Sequence, residues 1–290
     1  MANKMHPRRS ALYMPGSNAR ALEKAKTLDA DVVIFDLEDA VAPDAKADAR
    51  QQVCAAVKGG GYGQREVVVR INGLDSPWGG DDVRAAAEAG PAAILIPKVE
   101  SAGQLSDVAG AVKQAGGSAA LWAMIETPMA ILRLAEIVAA GGQDGAALSC
   151  LVVGTNDLVK ETRATLDRDR TAALYWLSAI VTAARAYDID VLDGVYNDFK
   201  DLDGFEAECR HGLMLGMDGK TLIHPTQIAA ANDVFSPSKD EVAWARQILA
   251  AFELPENQGK GVINIDGKMV ELLHAEMAKR TVAIADAIGL

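Results

Sequence analysis

Eight short apolar runs recur along the chain, and each is followed by an alanine-rich amphipathic segment. Most runs are continuous and rich in β-branched residues, which is typical of strands covered on both faces. We predict strands at residues 10–14, 31–38, 66–72, 92–98, 120–126, 149–154, 188–194 and 220–224. Helices are predicted at residues 18–29, 44–58, 80–89, 102–115, 128–140, 168–186, 203–215 and 226–233. This alternation restricts the chain to the α/β class.

Eight strand–helix units indicate a (β/α)8 TIM barrel, a fold that takes about 250 residues. The alternative is an open doubly wound sheet, which usually has fewer strands and often begins with a GxGxxG turn that this sequence lacks. The pattern changes after the eighth unit. We therefore divide the chain into a barrel domain, residues 1–237, and a C-terminal helical extension, residues 238–290. The extension is predicted to contain a helix at 238–254, a short strand at 261–267 and a helix from about 268 to 288.

Composition restricts the partners of the chain. Half of the 290 residues are hydrophobic and 24% are charged, and the formal net charge of −11 disfavours nucleic acid and anionic membranes. The three cysteines are widely spaced and odd in number, and no apolar stretch approaches the ~20 residues that span a bilayer. The opening sequence MANKMHPRRS lacks the apolar core of a signal peptide, so we expect a cytoplasmic protein.

Polar side chains follow most of the predicted strands. In a TIM barrel the active site lies at the carboxyl ends of the strands, so these side chains are expected to converge on one mouth. They are Asp36, Glu38, Asp39, Arg70, Asn72, Lys98, Glu100, Glu126, Asn156, Asp157, Asp193 and His224. The three acids that end DVVIFDLED call for a cation or a polar substrate nearby.

Glu126 and Asp157 are the best candidates for metal ligands. They follow neighbouring strands, which lie about 4.8 Å apart in a sheet. Two carboxylates without a nearby Cys or His favour a hard cation, and Mg²⁺ accepts one or two carboxylates together with water and substrate oxygens. Alternatively, each carboxylate caps the helix that follows it.

Arg70 ends the apolar run VVVRIN, where an unpaired cation is costly. It is expected either to clamp a substrate carboxylate through both edges of the guanidinium or to form a salt bridge with Glu38 or Glu126.

The turn YMPGSNARALEK suggests an anion site. Gly16 and the Ser17–Asn18 cap would offer free amides, and Arg20 and Lys24 lie four residues apart on one helix face. An ordinary capped helix with solvated cations is the other interpretation. His224, at the end of the last strand, either polarises a substrate or is satisfied by the backbone.

Eight segments resemble, in order, the citrate lyase beta subunit/malyl-CoA lyase family, a group of HpcH/HpaI aldolase-like CoA-ester lyases. They are ALYMPGSNARALEKA, VIFDLEDAV, VVVRIN, ILIPKVES, MIETPMAI, VVGTNDL, DGVY and GKTLIHPTQI. The resemblance implies a (β/α)8 barrel with a C-terminal extension that acts as a lid, a trimer or hexamer, and a requirement for Mg²⁺, with Mn²⁺ as a possible substitute.

The resemblance also implies roles for individual residues. The metal ligands are Glu126 and Asp157, and the carboxylate-binding residue is Arg70. The CoA-contacting residues are Tyr13, Pro15, Gly16, Arg20 and Lys24. Glu38 and Asp39 lie near the metal-bound waters and the substrate. Asp266, in INIDGKMV, enters the active site of a neighbouring subunit as the acid/base.

The implied reaction is carbon–carbon cleavage or condensation of a 3-hydroxyacyl-CoA such as L-malyl-CoA, β-methylmalyl-CoA or citramalyl-CoA. The other half would be a 2-oxo acid such as glyoxylate or oxaloacetate. Two alternatives are a malyl-CoA thioesterase and a citrate lyase subunit that acts on an acyl-carrier protein. A non-catalytic acyl-CoA-binding protein is disfavoured. Two departures from the family are Asn156, where many members have an acid, and a longer loop AAGGQDGAALS.

Overall fold

Eight parallel strands close into a barrel in the computed structural model, which describes residues 6–141 and 147–290. The strands are β1 Ser10–Pro15, β2 Val32–Asp36, β3 Glu66–Arg70, β4 Ala93–Ile96, β5 Ala120–Ile125, β6 Leu148–Val153, β7 Asp190–Asp193 and β8 Gly219–Leu222. All eight predicted strands are therefore present, with ends that differ from the predicted ones by up to a few residues.

The first strand shows that the barrel is closed. β1 pairs in parallel with β2, where Tyr13 lies opposite Ile34, and with β8, where Ala11 lies opposite Thr221. An open sheet would leave two edge strands with unpaired backbone groups. The TIM-barrel prediction is confirmed, and the doubly wound alternative is wrong.

Helices follow the strands and cover the outside of the barrel. They are α1 Ala19–Ala25, α2 Lys46–Gly59, α3 Gly79–Ala89, α4 Ala102–Gln114, α5 Pro128–Leu132, α6 Leu134–Ala140, α7 Thr155–Thr162, α8 Leu174–Arg185, α9 Leu202–Met214 and α10 Ile228–Val234. The predicted helix 128–140 is divided at Arg133, whose φ and ψ of −109° and 14° are not helical. Helix α7 was not predicted, because its short polar sequence buries only Leu158.

Every second residue of a strand points into the barrel. Ile34, Trp122 and Met124 lie in this interior cluster. Residues between them, such as Val33 and Ala123, pack in a second cluster that the strands share with the surrounding helices. The same alternation, continued to the strand ends, decides which polar side chains enter the mouth of the barrel.

Arg8 lies across the opposite end of the barrel. Its guanidinium donates to both carboxylate oxygens of Glu66, at 2.8 and 2.9 Å, and to Asp190 at 2.9 Å. Its Cζ lies 4.9 Å from the ring centroid of the buried Trp122. Since Glu66 and Asp190 are the first residues of β3 and β7, Arg8 ties the amino-terminal ends of two distant strands together.

The described residues divide into two compact units, Arg8–Phe235 and a second unit that contains Ser236–Leu290. The elements of the second unit are α11 Lys239–Glu253, β9 Val262–Ile265, β10 Lys268–Glu271 and α12 Leu272–Ile288. A capping box begins α11: Ser238 and Glu241 each accept a hydrogen bond from the other's backbone amide.

A β-hairpin replaces the start of the last predicted helix. β9 and β10 pair antiparallel through Asp266 and Gly267, whose φ angles are 51° and 82°. An Asp-Gly pair favours a two-residue hairpin loop, because both positions require positive φ. The helix therefore begins at Leu272 rather than near residue 268.

Among residues 6–141 and 147–290, no helix has both the length and the apolar character required to cross a bilayer. The loop AAGGQDGAALS, which departs from the family pattern, spans residues 139–149, and its residues 142–146 lie outside the described part of the chain.

Candidate active site at the carboxyl end of the barrel

Asp36 and Arg70 form a buried ion pair at the ends of β2 and β3. The parallel register places the two residues opposite each other. Arg70 donates from Nε to Asp36 Oδ1 at 2.7 Å and from Nη2 to Asp36 Oδ2 at 2.6 Å. Asp36 also accepts from the amides of Glu38 at 2.8 Å and Ala40 at 3.0 Å. One fully buried carboxylate thus fixes both the arginine and the loop that follows β2.

Two further acids approach the outer nitrogen of Arg70. Nη1 lies 2.8 Å from Glu38 Oε2 and 3.5 Å from Asp39 Oδ2. The Glu38 contact lacks the geometry of a hydrogen bond, so the buried Oε2 has no donor. Burial raises the pKa of Glu38, and the positive charge of Arg70, which lowers this pKa, offsets only part of that effect. The salt bridge expected between Arg70 and Glu38 is therefore present, and Asp36 is a further partner that the sequence did not suggest.

The ring of Tyr13 completes the surroundings of Arg70. The Arg70 Cζ lies 4.8 Å from the ring centroid, a cation–π geometry. Burial raises the pKa of the Tyr13 hydroxyl far above its ordinary value, so the phenol is neutral. Tyr13 therefore lies inside the mouth rather than on the exposed turn that follows β1.

Glu126, the residue after β5, is buried and points into the mouth. Its Oε1 accepts a hydrogen bond from the Lys98 amide at 2.8 Å. Thr127 caps α5 instead, accepting from the Ala130 amide at 3.1 Å, so the capping interpretation of Glu126 is wrong. Burial, together with the charges of Glu38 and Asp157, raises the pKa of Glu126 to about 8.

Gly154, the residue after β6, leaves space for this carboxylate. A β-carbon at residue 154 would overlap Glu126 Cβ and lie 2.6 Å from Glu126 Oε2. Asp157 lies one turn further, at the start of α7, where the cap residue Gly154 has no side chain. The two carboxylates therefore face one space between the ends of adjacent strands.

A cavity of about 320 Å³ opens at this end of the barrel. Its lining includes six charged or aromatic side chains, Tyr13, Asp36, Asp39, Arg70, Glu126 and Asp157, and four smaller polar ones, Thr155, Asn156, Asn197 and Thr221. Glu38 lies behind Arg70, and the predicted CoA residues Pro15, Gly16, Arg20 and Lys24 do not line the cavity.

The donor set fits a hard divalent cation. Many of the candidate ligands are carboxylate or amide oxygens, as Mg²⁺ prefers. Burial is the largest cause of the raised pKa of Glu126, and the charges of Glu38 and Asp157, which add to it, are charges that a dication would offset. In the described ranges, 6–141 and 147–290, no three His, Cys, Asp or Glu side chains form a ready-made metal cluster. Glu126 and Asp157 would therefore share a cation with water or substrate oxygens.

Two backbone amides of the turn after β1 are paired rather than free for an anion. The Gly16 amide donates to the Asp36 carbonyl at 2.8 Å, and the Asn18 amide donates to the Pro15 carbonyl at 3.0 Å. Gly16 is required by close packing, because a β-carbon there would lie 2.6 Å from Asp36 O. Arg20 and Lys24 are exposed on α1, and their contact with CoA stays a prediction.

The polar residues that end β7 and β8 are structural. Asp193 is fully buried and pairs with Arg170 at 2.8 Å and Lys220 at 3.0 Å. His224 accepts from the Thr226 amide at 3.3 Å and stacks on Phe199, with 4.6 Å between ring centroids. The backbone-satisfied interpretation of His224 is therefore the one observed.

Sequence reasoning missed two features of the site. Lys98 has a left-handed backbone, and Asn156 and Asn197 exchange side-chain hydrogen bonds of 3.2 and 2.9 Å at the cavity wall. The only signal for the left-handed backbone of Lys98 was a weak one, a lysine directly after a strand-end proline. No local signal pairs two asparagines 41 residues apart.

Asp266 lies in the second unit, where its carboxylate accepts from Gln247 at 2.9 Å, so its role as a lid residue stays a prediction.

Comparison with known proteins agrees with this architecture. Residues 9–225 match the model of the HpcH/HpaI aldolase/citrate lyase family. A (3S)-malyl-CoA thioesterase of Cereibacter sphaeroides is 49% identical over 289 residues, covering 100% of this chain and 98% of that protein. The citrate lyase subunit beta of Escherichia coli K12 is 34% identical over 294 residues, covering 99% and 96%.

A solved structure is similar over nearly the whole chain. It is the protein CitE from Mycobacterium tuberculosis in complex with magnesium, acetoacetate and coenzyme A. The sequences are 30% identical, the TM-score is 0.73, and the match covers 95% of this chain and 97% of that one.

Proposed function

Because the chain belongs to the HpcH/HpaI aldolase/citrate lyase family, we propose that it is a Mg²⁺-dependent enzyme that hydrolyses the thioester of a malyl-CoA-type 3-hydroxyacyl-CoA. The sequence motifs placed carbon–carbon cleavage first and hydrolysis second. The observation that reverses this order is the 49% identity, over the whole chain, with a (3S)-malyl-CoA thioesterase.

Glu126 and Asp157 are the residues that would hold the cation, since their carboxylates face the same cavity. A bound Mg²⁺ would act as a Lewis acid toward the substrate oxygens and as a template for their orientation. The relative CitE was solved with magnesium and coenzyme A, which supports this assignment.

Arg70 is the group that would bind the free carboxylate of the acyl part. Asp36 takes its Nε and one Nη2 hydrogen, so a substrate carboxylate would bind at the edge that points away from Asp36, in competition with the acids beside it. Glu38 and Asp39 lie 2.8 and 3.5 Å from Nη1, at that edge. They would hold the guanidinium in position and compete with weakly bound anions.

Hydrolysis requires a water molecule to attack the thioester carbonyl carbon. A new C–O bond forms, the C–S bond breaks, and one proton of the water passes to a carboxylate base before it reaches the departing CoA sulfur. We assign this base to Asp266 of a neighbouring subunit in a trimer or hexamer, on the family resemblance of INIDGKMV.

Product analysis with (3S)-malyl-CoA tests the reaction. We expect one free CoA thiol and one malate per turnover, no glyoxylate or acetyl-CoA, and no turnover in EDTA. The variant Glu126→Gln should be inactive at ordinary Mg²⁺ concentrations. Glyoxylate with acetyl-CoA as the products would overturn the hydrolase proposal, and full activity in EDTA would overturn the metal assignment.

Carbon–carbon cleavage is the second candidate function. It is favoured by the 34% identity with a citrate lyase subunit beta and by CitE having been solved with acetoacetate. The same cation and Arg70 would hold the 2-oxo acid half, and Asp266 would return a proton to the acetyl-CoA enolate. Assaying β-methylmalyl-CoA, citramalyl-CoA and a citryl thioester on an acyl-carrier protein distinguishes the lyases from one another.

Subunit mixing tests the position of Asp266. Asp266→Asn and Glu126→Gln should each be inactive, with Asp266→Asn retaining CoA binding. If a neighbouring subunit supplies Asp266, mixed oligomers of the two variants contain some complete sites and should regain activity. Active Asp266→Asn alone, or mixtures that stay inactive despite proven subunit exchange, would contradict the assignment.

A further inference from the structure

Lys98 connects two carboxylates of the site from one backbone position. Its amide donates to Glu126 Oε1 at 2.8 Å, and its Nζ lies 3.4 Å from Glu38 Oε1. The residue adopts φ 49°, which a lysine rarely does. Such a conformation persists where its surroundings hold it in place, commonly at functional sites.

The backbone around Lys98 is held from both sides. The carbonyl of Lys98 accepts from Gln104 Nε2 at 3.2 Å, and the same glutamine accepts from the amides of Glu100 and Ser101 at 2.7 and 3.1 Å. The bond to the Ser101 amide belongs to the capping box of α4. The start of α4 therefore fixes the amide that orients Glu126.

The ammonium group is placed among negative charges. Partial burial alone would lower the pKa of Lys98. The negative charges of Glu38, Glu126 and Asp157 outweigh the effect of burial, so the pKa is raised and the side chain is charged. Arg70 already has a close partner in Asp36. Lys98, with a side chain 45% exposed, therefore supplies a second positive charge at the acid cluster.

We propose that Lys98 is a positioning residue that balances charge between the cation and the anionic substrate. This inference rests on the proposed metal site at Glu126 and Asp157. The Lys98 ammonium group repels a divalent cation and thereby weakens the binding of that cation. The same positive charge offsets the negative charges of the acids, which would otherwise repel an anionic acyl-CoA. The main-chain amide of the same residue orients Glu126 independently of the side chain.

This arrangement predicts opposite changes in two measured quantities. In Lys98→Asn the left-handed backbone and its amide are retained, because asparagine tolerates positive φ, and only the charge is lost. Mg²⁺ should bind about three- to tenfold more tightly, and the KM for malyl-CoA should rise by about the same factor. If Lys98 had only a structural role, its replacement would weaken both Mg²⁺ binding and substrate binding, or would change neither.

The experiment is calorimetric titration of the full chain with Mg²⁺ alone, together with steady-state kinetics at saturating Mg²⁺. Lys98→Arg keeps the charge and should resemble the wild type in Mg²⁺ affinity. Lys98→Gly is a second neutral variant that accepts the same φ and should reproduce Lys98→Asn. Lys113→Asn, in the last turn of α4, removes an exposed cation elsewhere and should change neither quantity.

Tighter Mg²⁺ binding with a higher KM in both neutral variants would support the inference. Unchanged or weaker Mg²⁺ binding in folded Lys98→Asn and Lys98→Gly would overturn it while leaving the metal site intact. Absence of Mg²⁺ binding by the wild type would overturn the metal site, and the role of Lys98 with it.

Discussion

Asp36 receives two hydrogen bonds from Arg70, at 2.7 and 2.6 Å, where β2 and β3 end side by side. Asp36 is completely buried, whereas Asp39, three residues later, is 71% exposed. Asp36, the acid that binds Arg70 most closely, is therefore also the acid of DVVIFDLED that lies deepest in its strand. Its carboxylate holds the guanidinium of Arg70 in place.

Replacing Asp36 should therefore be costly. In Asp36→Asn the buried guanidinium loses its charged partner, and removing one member of a buried pair lowers the free energy of unfolding by about 3–5 kcal/mol. Asp39→Asn is the control, with an expected change below about 0.5 kcal/mol, because its side chain is exposed. Urea unfolding measures both, and similar values for the two variants would contradict the assignment.

Gly154→Ala should remove activity without unfolding the chain. The added β-carbon would lie 2.6 Å from Glu126 Oε2, so the carboxylate must leave its position toward Asp157. We expect a loss of Mg²⁺ binding in calorimetry and at least about a hundredfold loss of kcat/KM, the scale that small misplacements of reacting groups produce.

The matched control for this glycine is Gly110→Ala. Gly110 lies within α4, and a β-carbon there would meet nothing within 4 Å. This variant should bind Mg²⁺ normally and gain up to about 1 kcal/mol of stability, as alanine does in helices. Normal Mg²⁺ binding by Gly154→Ala would show that Glu126 is not the ligand.

Arg8 should matter for stability and not for turnover. Arg8→Met retains much of the side-chain volume but leaves Glu66 and Asp190 without their buried cation, and we expect a loss of about 3 kcal/mol in urea unfolding. Since Arg8 lies at the end of the barrel opposite the cavity, kcat of the folded fraction should be unchanged. Arg84→Met, with its side chain 69% exposed, is the control with little effect. A lower kcat in folded Arg8→Met would contradict this separation.

Stability should fall in mild acid because of His211. Its Nδ1 lies 3.1 Å from Arg170 Nε and 2.9 Å from Arg170 Nη2, so the ring is an acceptor and stays neutral. Partial burial and the charge of Arg170 lower the pKa of His211 below 6.5 in the folded state. The unfolded chain then binds the extra proton first, and the free energy of unfolding decreases as the pH falls through 6.5 toward the folded-state pKa.

The measurement is the urea midpoint of the wild type and His211→Gln between about pH 5 and pH 8. The wild type should lose stability relative to the glutamine variant across the lower part of this range. Parallel profiles would show that His211 titrates normally in the folded protein.

Local pattern predicted much of the fold. Most of the buried strands are continuous apolar runs, and each helix before the C-terminal unit, apart from α7, was visible from its apolar face. The second strand of the hairpin at Asp266 and Gly267, Lys268–Glu271, was not predicted, because its residues were read as the first turn of the helix that follows. Helix α7 was missed because it buries one residue.

The carboxyl ends of the strands also indicated where the site lies. Glu126, Asp157 and Arg70 were chosen because a parallel barrel brings all strand ends to one side. The ion pair of Arg70 with Glu38 was predicted, but the bidentate pair with Asp36 was not, since it depends on the strand register that places Asp36 opposite Arg70.

The sequence by itself determined the barrel, because strand and helix periodicities are local properties of side-chain patterning. It also indicated that Arg70, Glu126 and Asp157 lie at the mouth, although some of the other polar residues predicted there are structural. Only the tertiary structure decided how these charges pair: Asp36 with Arg70, and Lys98 with both Glu126 and Glu38. Those pairings depend on strand register, on a left-handed lysine and on a glycine that leaves space for a carboxylate, and each of these is set by contacts between residues far apart in the chain.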